Sequence, residues 1–418
     1  MGRSSGSATL VVPAVATAVV AGVAVAATWA RARSTRRARS GRNGAQRSLD
    51  DIVRPNILEL TPYRCARDDY TEGVLLDANE NSYGPCISSA KVELDMKSLE
   101  LNRYPDPYQW DVKRLLGDMR GVAPKQIFVG VGSDEAIDLL IRIFCRPGED
   151  TILVTPPTYG MYKVCAKVNN VDVQTVPLTP DFDVVPSRVL EAVTPNTKIV
   201  FLCSPGNPTG KSVPLSVVRE IVSGGFDGIL VVDEAYVDFS TTESGGSGRG
   251  ALDRVVVLQT LSKAFGLAAI RMGMAFGSKA VIQLMNNVKA PYNVNRLSQE
   301  LAVQALQQKS LCSTRVQQIL QERSRLQQAI KELPLVRQVK DSDTNFFLVQ
   351  VDNAETVYKH MADSGVVVRY RGRELHCKDC LRVTVGTPEE NKRLVEMLTK
   401  TTQGVASGAI PVGAAVGK

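Results

Sequence analysis

"GILVVDEAY", residues 228–236, runs four apolar side chains in a row straight into an aspartate and a glutamate. A strand with one wet face alternates apolar and polar positions, so a run without alternation is expected to be covered on both faces, as in a parallel sheet between layers of helices. The same texture recurs in "QIFVGVG" (126–132), "TILVTPP" (151–157), "KIVFLCSP" (198–205), "RVVVLQTLSK" (254–263) and "RMGMAFG" (271–277). The segments between them have helical spacing. In "SDEAIDLLIRIFCRPGED" (133–150), Ser133 is a plausible cap, acids fill the first turn, and Pro147-Gly148 ends the helix. Residues 213–224 read as a second surface helix. The fold class is therefore α/β, with a mostly parallel central sheet.

Beyond about residue 296 the texture changes. A glutamine-rich stretch (297–333) reads as one long helix or two joined. "NFFLVQV" (345–351), "VVVRY" (366–370) and "LRVTVG" (381–386) then read as strands of a smaller α+β domain closed by a helix near 388–400. The expected organisation is a targeting presequence or membrane anchor outside the fold (1–49), an N-terminal arm (50–75), a large domain (76–295), a small C-terminal domain (296–400) and a disordered tail (401–418).

The net charge of +7 is localised: residues 1–49 hold eight arginines and no acid, so the remainder carries −1. The body gives no support for nucleic-acid binding. Within the extension, residues 8–30 form an uncharged, moderately apolar run long enough to cross a bilayer, followed by an Arg/Ser/Ala-rich stretch. The order resembles a two-part plastid presequence, and also a simple signal-anchor. Membrane contact is expected only through residues 8–30, if they are retained. The eight cysteines do not form a disulfide framework. Cys377 and Cys380 make a lone CxxC without the second pair that structural zinc needs, so no metal is expected and a redox role is open.

Ligands of α/β sheets gather at the carboxyl ends of the strands, and the polar residues here are concentrated there. Ser133, Asp134 and Glu135 open a helix whose free N–H groups can hold an anion, although a capping box explains the same residues. Asn207 sits in "GNPTG". Asp233 and Tyr236 follow the run at 229–232. A carboxylate at Asp233 is either solvated at a loop mouth or paired with a cationic ring nitrogen. "TLSKAFGLAAIR" (260–271) puts Ser262 and Lys263 at a strand end and Arg271 eight positions on. Lysine there can form a covalent imine with an aldehyde, and arginine presents a fork suited to phosphate; alternatively both reach solvent. Together these residues ask for a flat, phosphorylated, aldehyde-bearing cofactor with a basic ring nitrogen, which describes pyridoxal 5′-phosphate.

The segments "LTPY", "LDANENSYGP", "LNRYPDP", "GVGSDEAIDLL", "TPPTYGMY", "CSPGNPTG", "VVDEAYVDF", "TLSKAFGLAAIR", "PYNVNRLSQ", "VVVR" and "LRVTVG" cover about residues 55–400. In this order the chain resembles the fold-type I pyridoxal-phosphate-dependent aminotransferases (class I/II), and within them the branch acting on histidinol phosphate. The resemblance implies that Lys263 carries the cofactor and shuttles the proton. Asp233 would face the ring nitrogen, Asn207 and Tyr236 the phenolic oxygen, and Tyr159 the ring face. Ser133, Asp134, Glu135, Ser262 and Arg271 would line a phosphate cup, with Tyr104 entering from the other subunit of a homodimer.

Arg382 and Arg369, aided by Tyr63 and Asn79, would hold the substrate anion, the alternative for Arg369 being a simple pair with an acid. The substrates implied are histidinol phosphate, glutamate and 2-oxoglutarate. Alternatives of the same fold are an aromatic or broad-specificity aminotransferase, a threonine-phosphate decarboxylase, and a non-catalytic binding protein. Asp77, Ser82 and Ala269 depart from the family's usual residues without removing a chemical role.

Overall fold

The computed structural model describes residues 47–62, 64–88, 99–240 and 253–413. Its strands, numbered along the chain, are β1 (Val74–Leu75), β2 (Ile127–Val131), β3 (Thr151–Val154), β4 (Asp172–Thr175), β5 (Thr197–Cys203), β6 (Ile229–Asp233) and β7 (Val255–Thr260). They continue with β8 (Met272–Phe276), β9 (Val336–Val339), β10 (Phe346–Val351), β11 (Val366–Val367), β12 (Arg369–Tyr370) and β13 (Cys380–Thr384).

All six apolar runs enter one seven-stranded sheet of order β2-β8-β7-β6-β5-β3-β4. Neighbours from β7 to β4 are parallel, and β8 alone runs against both β2 and β7. The two-residue pleat sends alternate side chains into separate cores. Leu230 and Val232 join one apolar cluster; Ile229 and Val231 join the other. This is why β6 tolerates no polar position until Asp233. The seventh strand, β4, was not marked by an apolar run because it lies at the sheet edge with both its end residues exposed.

A second sheet, β12-β13-β10-β9, is antiparallel. A parallel pairing of Val74 with Val366 and of Leu75 with Val367 forms a third, two-stranded sheet that ties the start of the body to this part of the chain. Residues Glu59–Lys418 form one unit holding all three sheets. The described part of the other unit, Met1–Leu58, is two single-turn helices, Leu49–Ile52 and Pro55–Leu58.

The glutamine-rich stretch takes the second of its two expected forms, two joined helices, Arg296–Gln307 and Lys309–Lys331. Two expectations need correction. The tail is not disordered from residue 401, because the last helix runs Pro388–Ala406. It buries Leu394, Leu398, Thr401, Thr402 and Val405, and Ile410 donates its N–H back to Gly404 O. Threonines at 401 and 402 complete the apolar stripe while making the sequence look polar. Finally, among the described residues no helix is long and apolar enough to cross a membrane. Residues 8–30, on which the transmembrane and plastid-leader readings rest, lie outside the described residues, and the transmembrane reading is withdrawn.

Candidate active site

A cavity of about 290 Å³ opens at the carboxyl ends of β5, β6 and β7, between the large sheet and the arginine-bearing strands of the small one. It is lined by Ser133, Asp134, Tyr159, Asn207, Asp233, Tyr236, Ser262, Lys263 and Arg271, and on the small-sheet side by Arg369 and Arg382. Asn79 joins them from the N-terminal segment. Lys263 follows β7 by three residues, on a tight loop where Gly266 takes φ +65 and a Cβ would strike Gly84 O.

Lys263 is half-buried, and its Nζ donates to Ala78 O at 2.9 Å. Burial, then the charge of Arg382 and that of Arg271, brings its amine down to about 8, against opposing pulls from Glu80 and Asp134. Asp233 is 3% exposed. Burial pushes its carboxyl up to about 6, against hydrogen bonds from the Tyr162 hydroxyl (2.7 Å) and the Ala235 N–H (3.2 Å). Its neighbour Glu234 points elsewhere and accepts from Gln259 at 2.9 Å. The Tyr236 hydroxyl accepts from Asn79 Nδ2 at 2.9 Å, and Asn79 Oδ1 in turn accepts from Thr384 at 3.2 Å.

The anion end near β2 is a helix N-terminus. The helix Gly132–Phe144 starts without a side-chain cap, so Ser133 is a cavity residue rather than the cap expected. Its first N–H groups are left for a ligand. Gly273 lets the helix start this close to β8, since a Cβ there would lie 2.1 Å from Ser133 N. Asp134 accepts the Tyr159 hydroxyl at 3.0 Å and meets Arg271 at 3.5 Å. Glu135 does not line the cavity; it turns back to accept from Val131 N–H and from Asn293 at 2.9 Å.

At the other end, Arg369 on β12 stands opposite Arg382 on β13. Arg382 is 5% exposed and donates to Asn207 Oδ1 at 2.6 Å and to Asp77 O. Arg369 donates to Arg64 O at 3.1 Å, and no acid pairs with it among the described residues. Burial, followed by the nearby Arg371, pushes Arg382 down to about 9. Besides Glu135, one further expected residue among those described does not line this cavity. Tyr104 is 78% exposed and stacks on Tyr292 with centroids 4.5 Å apart, and Tyr63 lies outside the described residues.

Residues 71–398 match the family model for aminotransferase class I and II. The chain belongs to that family. It is 46% identical to the histidinol-phosphate aminotransferase of Cytophaga hutchinsonii over 84% of this chain and 98% of that protein. Identity to the Schizosaccharomyces pombe protein of the same name is 44%, over 85% of this chain and 98% of the relative. Among solved structures, the histidinol-phosphate aminotransferase of Sinorhizobium meliloti in complex with pyridoxal-5′-phosphate superposes with a TM-score of 0.76 at 22% identity, covering 85% of this chain and 98% of that one. At that identity the likeness concerns the fold.

Several residues of this aminotransferase cavity escaped sequence reasoning. Tyr162, three positions after Tyr159, is fully buried between Phe201 and Asp233, with its ring stacked on Phe201 at 4.6 Å. The i, i+3 spacing within "TYGMY" was the available signal. Tyr162 stands behind Asp233 rather than in the lining, whereas Cys65, Glu80 and Arg371 line the cavity itself. Asp77, an acid where the family usually has asparagine, is 3% exposed and paired with Arg67 at 3.0 Å, which offsets its charge.

Proposed function

We propose that this chain transfers the amino group of L-histidinol phosphate to 2-oxoglutarate, giving 3-(imidazol-4-yl)-2-oxopropyl phosphate and L-glutamate, with pyridoxal 5′-phosphate as cofactor. The observation that carries the reading is the placement of two guanidinium groups, Arg369 and Arg382, that no acid among the described residues pairs with, in the same cavity as a lysine whose amine is brought down to about 8. The relatives named above support it.

The donor set suits the cofactor. Asp233 is a buried carboxylate that burial disfavours, and a cationic ring nitrogen would relieve it. The uncapped helix at Gly132, together with Ser262 and Arg271, offers phosphate donors. Asn207 and Tyr236 would hold the phenolic oxygen, and Tyr159 the ring face. When bound, the cofactor supplies an aldehyde and a ring that accepts the electrons released at the substrate's α-carbon.

Lys263 Nζ, unprotonated for part of the time near neutral pH, would take the proton from the substrate's α-carbon and return it to the carbon that the cofactor's aldehyde supplies. Asp233, ionised, would favour the protonated form of the cofactor's ring nitrogen. Arg369 and Arg382 hold the donor's anionic group, with Asn79 and Tyr63 as further contacts. These two arginines must serve both a phosphomonoester and the glutamate carboxylate, and guanidinium forks accept either.

In the homodimer that this reading entails, Tyr104 reaches the partner's phosphate cup. The test is a substrate panel on purified enzyme followed through the cofactor spectrum. Histidinol phosphate and glutamate should convert the cofactor, with phenylalanine and tyrosine far slower. Turnover of the aromatic amino acids at equal efficiency would overturn the substrate assignment. After borohydride reduction, peptide mapping should find the adduct on Lys263.

A further inference from the structure

The geometry points to Arg371 as a specificity-determining residue, a third guanidinium that makes the anion end of the cavity favour a phosphomonoester over a carboxylate. This rests on the transamination reading above and extends it to a residue outside the Arg369–Arg382 pair.

The backbone places it. Arg369 pairs with Arg382 and Tyr370 with Leu381, and the Arg371 N–H continues the ladder by donating to Cys380 O at 2.8 Å. In an extended strand, residues two apart share a face. Arg369 and Arg371 therefore leave on one side, while Tyr370 leaves on the other and stacks on Tyr358 with centroids 6.4 Å apart. All three arginines line the same cavity.

Like charges facing each other across a ladder oppose folding unless something neutralises them. The other acids of the cavity are already engaged. Asp77 and Glu80 pair with Arg67, Asp134 meets Arg271, and Asp233 accepts from Tyr162. Among the described residues the three arginines have a single carboxylate partner, Glu374, at 2.6 Å from Arg371. Three positive charges against one negative leave two, which a phosphomonoester dianion neutralises and a carboxylate does not.

Two donors at this end await an acceptor. The Nε atoms of Arg371 and Arg382 are buried without a hydrogen-bond partner among the described residues. A buried donor without an acceptor is costly until an occupant accepts from it, and a phosphate has three terminal oxygens to offer. Arg371 also borders a neighbouring cavity lined by Lys163, Arg373 and Leu375, so it stands where the two spaces meet.

The experiment uses purified holoenzyme carrying Arg371→Gln, Arg371→Lys or Glu374→Gln. KM and kcat are measured for histidinol phosphate and for glutamate, alongside competitive inhibition by inorganic phosphate and by acetate. For Arg371→Gln, KM for histidinol phosphate and Ki for phosphate should rise at least about ten-fold, the loss of one charge-assisted hydrogen bond. KM for glutamate and Ki for acetate should rise less than about three-fold, and Arg371→Lys should recover part of the discrimination.

Equal rises for both anion classes, or none, would overturn the proposal. So would a melting temperature lowered as much in Arg371→Gln as in Glu374→Gln with discrimination intact, because that result marks a purely structural pair. If the unaltered enzyme fails to turn over histidinol phosphate, the proposed reaction falls. Phosphate and acetate inhibition, with glutamate as the donor, still decides the role of Arg371.

Discussion

At the scale of single residues, one environment moves two groups toward each other's range. Lys263 comes down to about 8 and Asp233 goes up to about 6, both chiefly through burial. At pH 7.5 an amine with pKa about 8 is neutral roughly a quarter of the time, against about one part in a thousand for an unshifted lysine. We therefore expect kcat to climb as pH rises through about 8, and a profile flat from pH 7 to 9 would argue against Lys263 as the base. Asp233 carries a stability consequence. Its folded pKa lies above the ordinary 3.8, so the folded apoprotein binds the proton more tightly than the unfolded chain. Whatever Asp233 contributes to stability is present below pH 3.8 and is lost as pH rises through about 6. At pH 7 the buried charge is a net cost on the order of 2–3 kcal/mol. Asp233→Asn should accordingly raise the melting temperature of cofactor-free protein at pH 7 while weakening cofactor binding and turnover. Equal melting temperatures at pH 7 would show that the carboxylate is better solvated than its burial implies.

At the scale of elements, the site depends on one close approach, where the helix Gly132–Phe144 begins against β8. A Cβ at position 273 would meet Ser133 N at 2.1 Å and the Gly132 carbonyl carbon at 2.3 Å, both backbone atoms that cannot rotate away. Gly273→Ala should therefore push the helix start off the sheet. The expected cost is about 1–3 kcal/mol of stability, as for other overpacked sites, together with weaker retention of the cofactor phosphate. Calorimetry and cofactor titration would read the two effects. An unchanged cofactor affinity would mean that the helix start is not a phosphate site. The same elements show what the sequence could disclose. Buried strands announce themselves because both faces are apolar, so β2, β3, β5, β6, β7 and β8 were all legible. Edge strand β4 and the two-residue β1 were not, since neither buries enough to need a run. Lys263, Asp233 and Arg271 were legible because a charge at the end of an apolar strand demands a partner. Tyr162 was hidden because a tyrosine inside a helix reads as ordinary core, and its hydroxyl matters only once Asp233 is folded against it. Glu135, equally conspicuous in sequence, turned out to brace the β2 turn because the helix start directs its carboxylate backward.

At the scale of the whole molecule, one surface remains to be explained. Tyr104, Tyr108, Trp110 and Tyr292 are each more than 40% exposed, and Tyr104 stacks on Tyr292 outside the cavity of its own chain. Aromatic side chains left in water on a chain with a full core are characteristic of a subunit interface. With two-fold symmetry, a side chain that leaves its own site enters its partner's, and the partner's enters in return. If Tyr104 serves the partner's cofactor while Lys263 serves its own, the two defects are complementary. Tyr104→Ala and Lys263→Ala should each be inactive as homodimers, the second by at least about 10²–10⁴-fold. Co-expressed in equal amounts, they pair at random, and about half of the dimers are mixed. Each mixed dimer has one site carrying both substitutions and one carrying neither. Activity should therefore return to about a quarter of the unaltered level. The tandem-purified mixed dimer should reach about half. If Tyr104 acted within its own chain, every site in the mixture would carry a defect. Activity would then stay at the level of the single variants whatever the pairing.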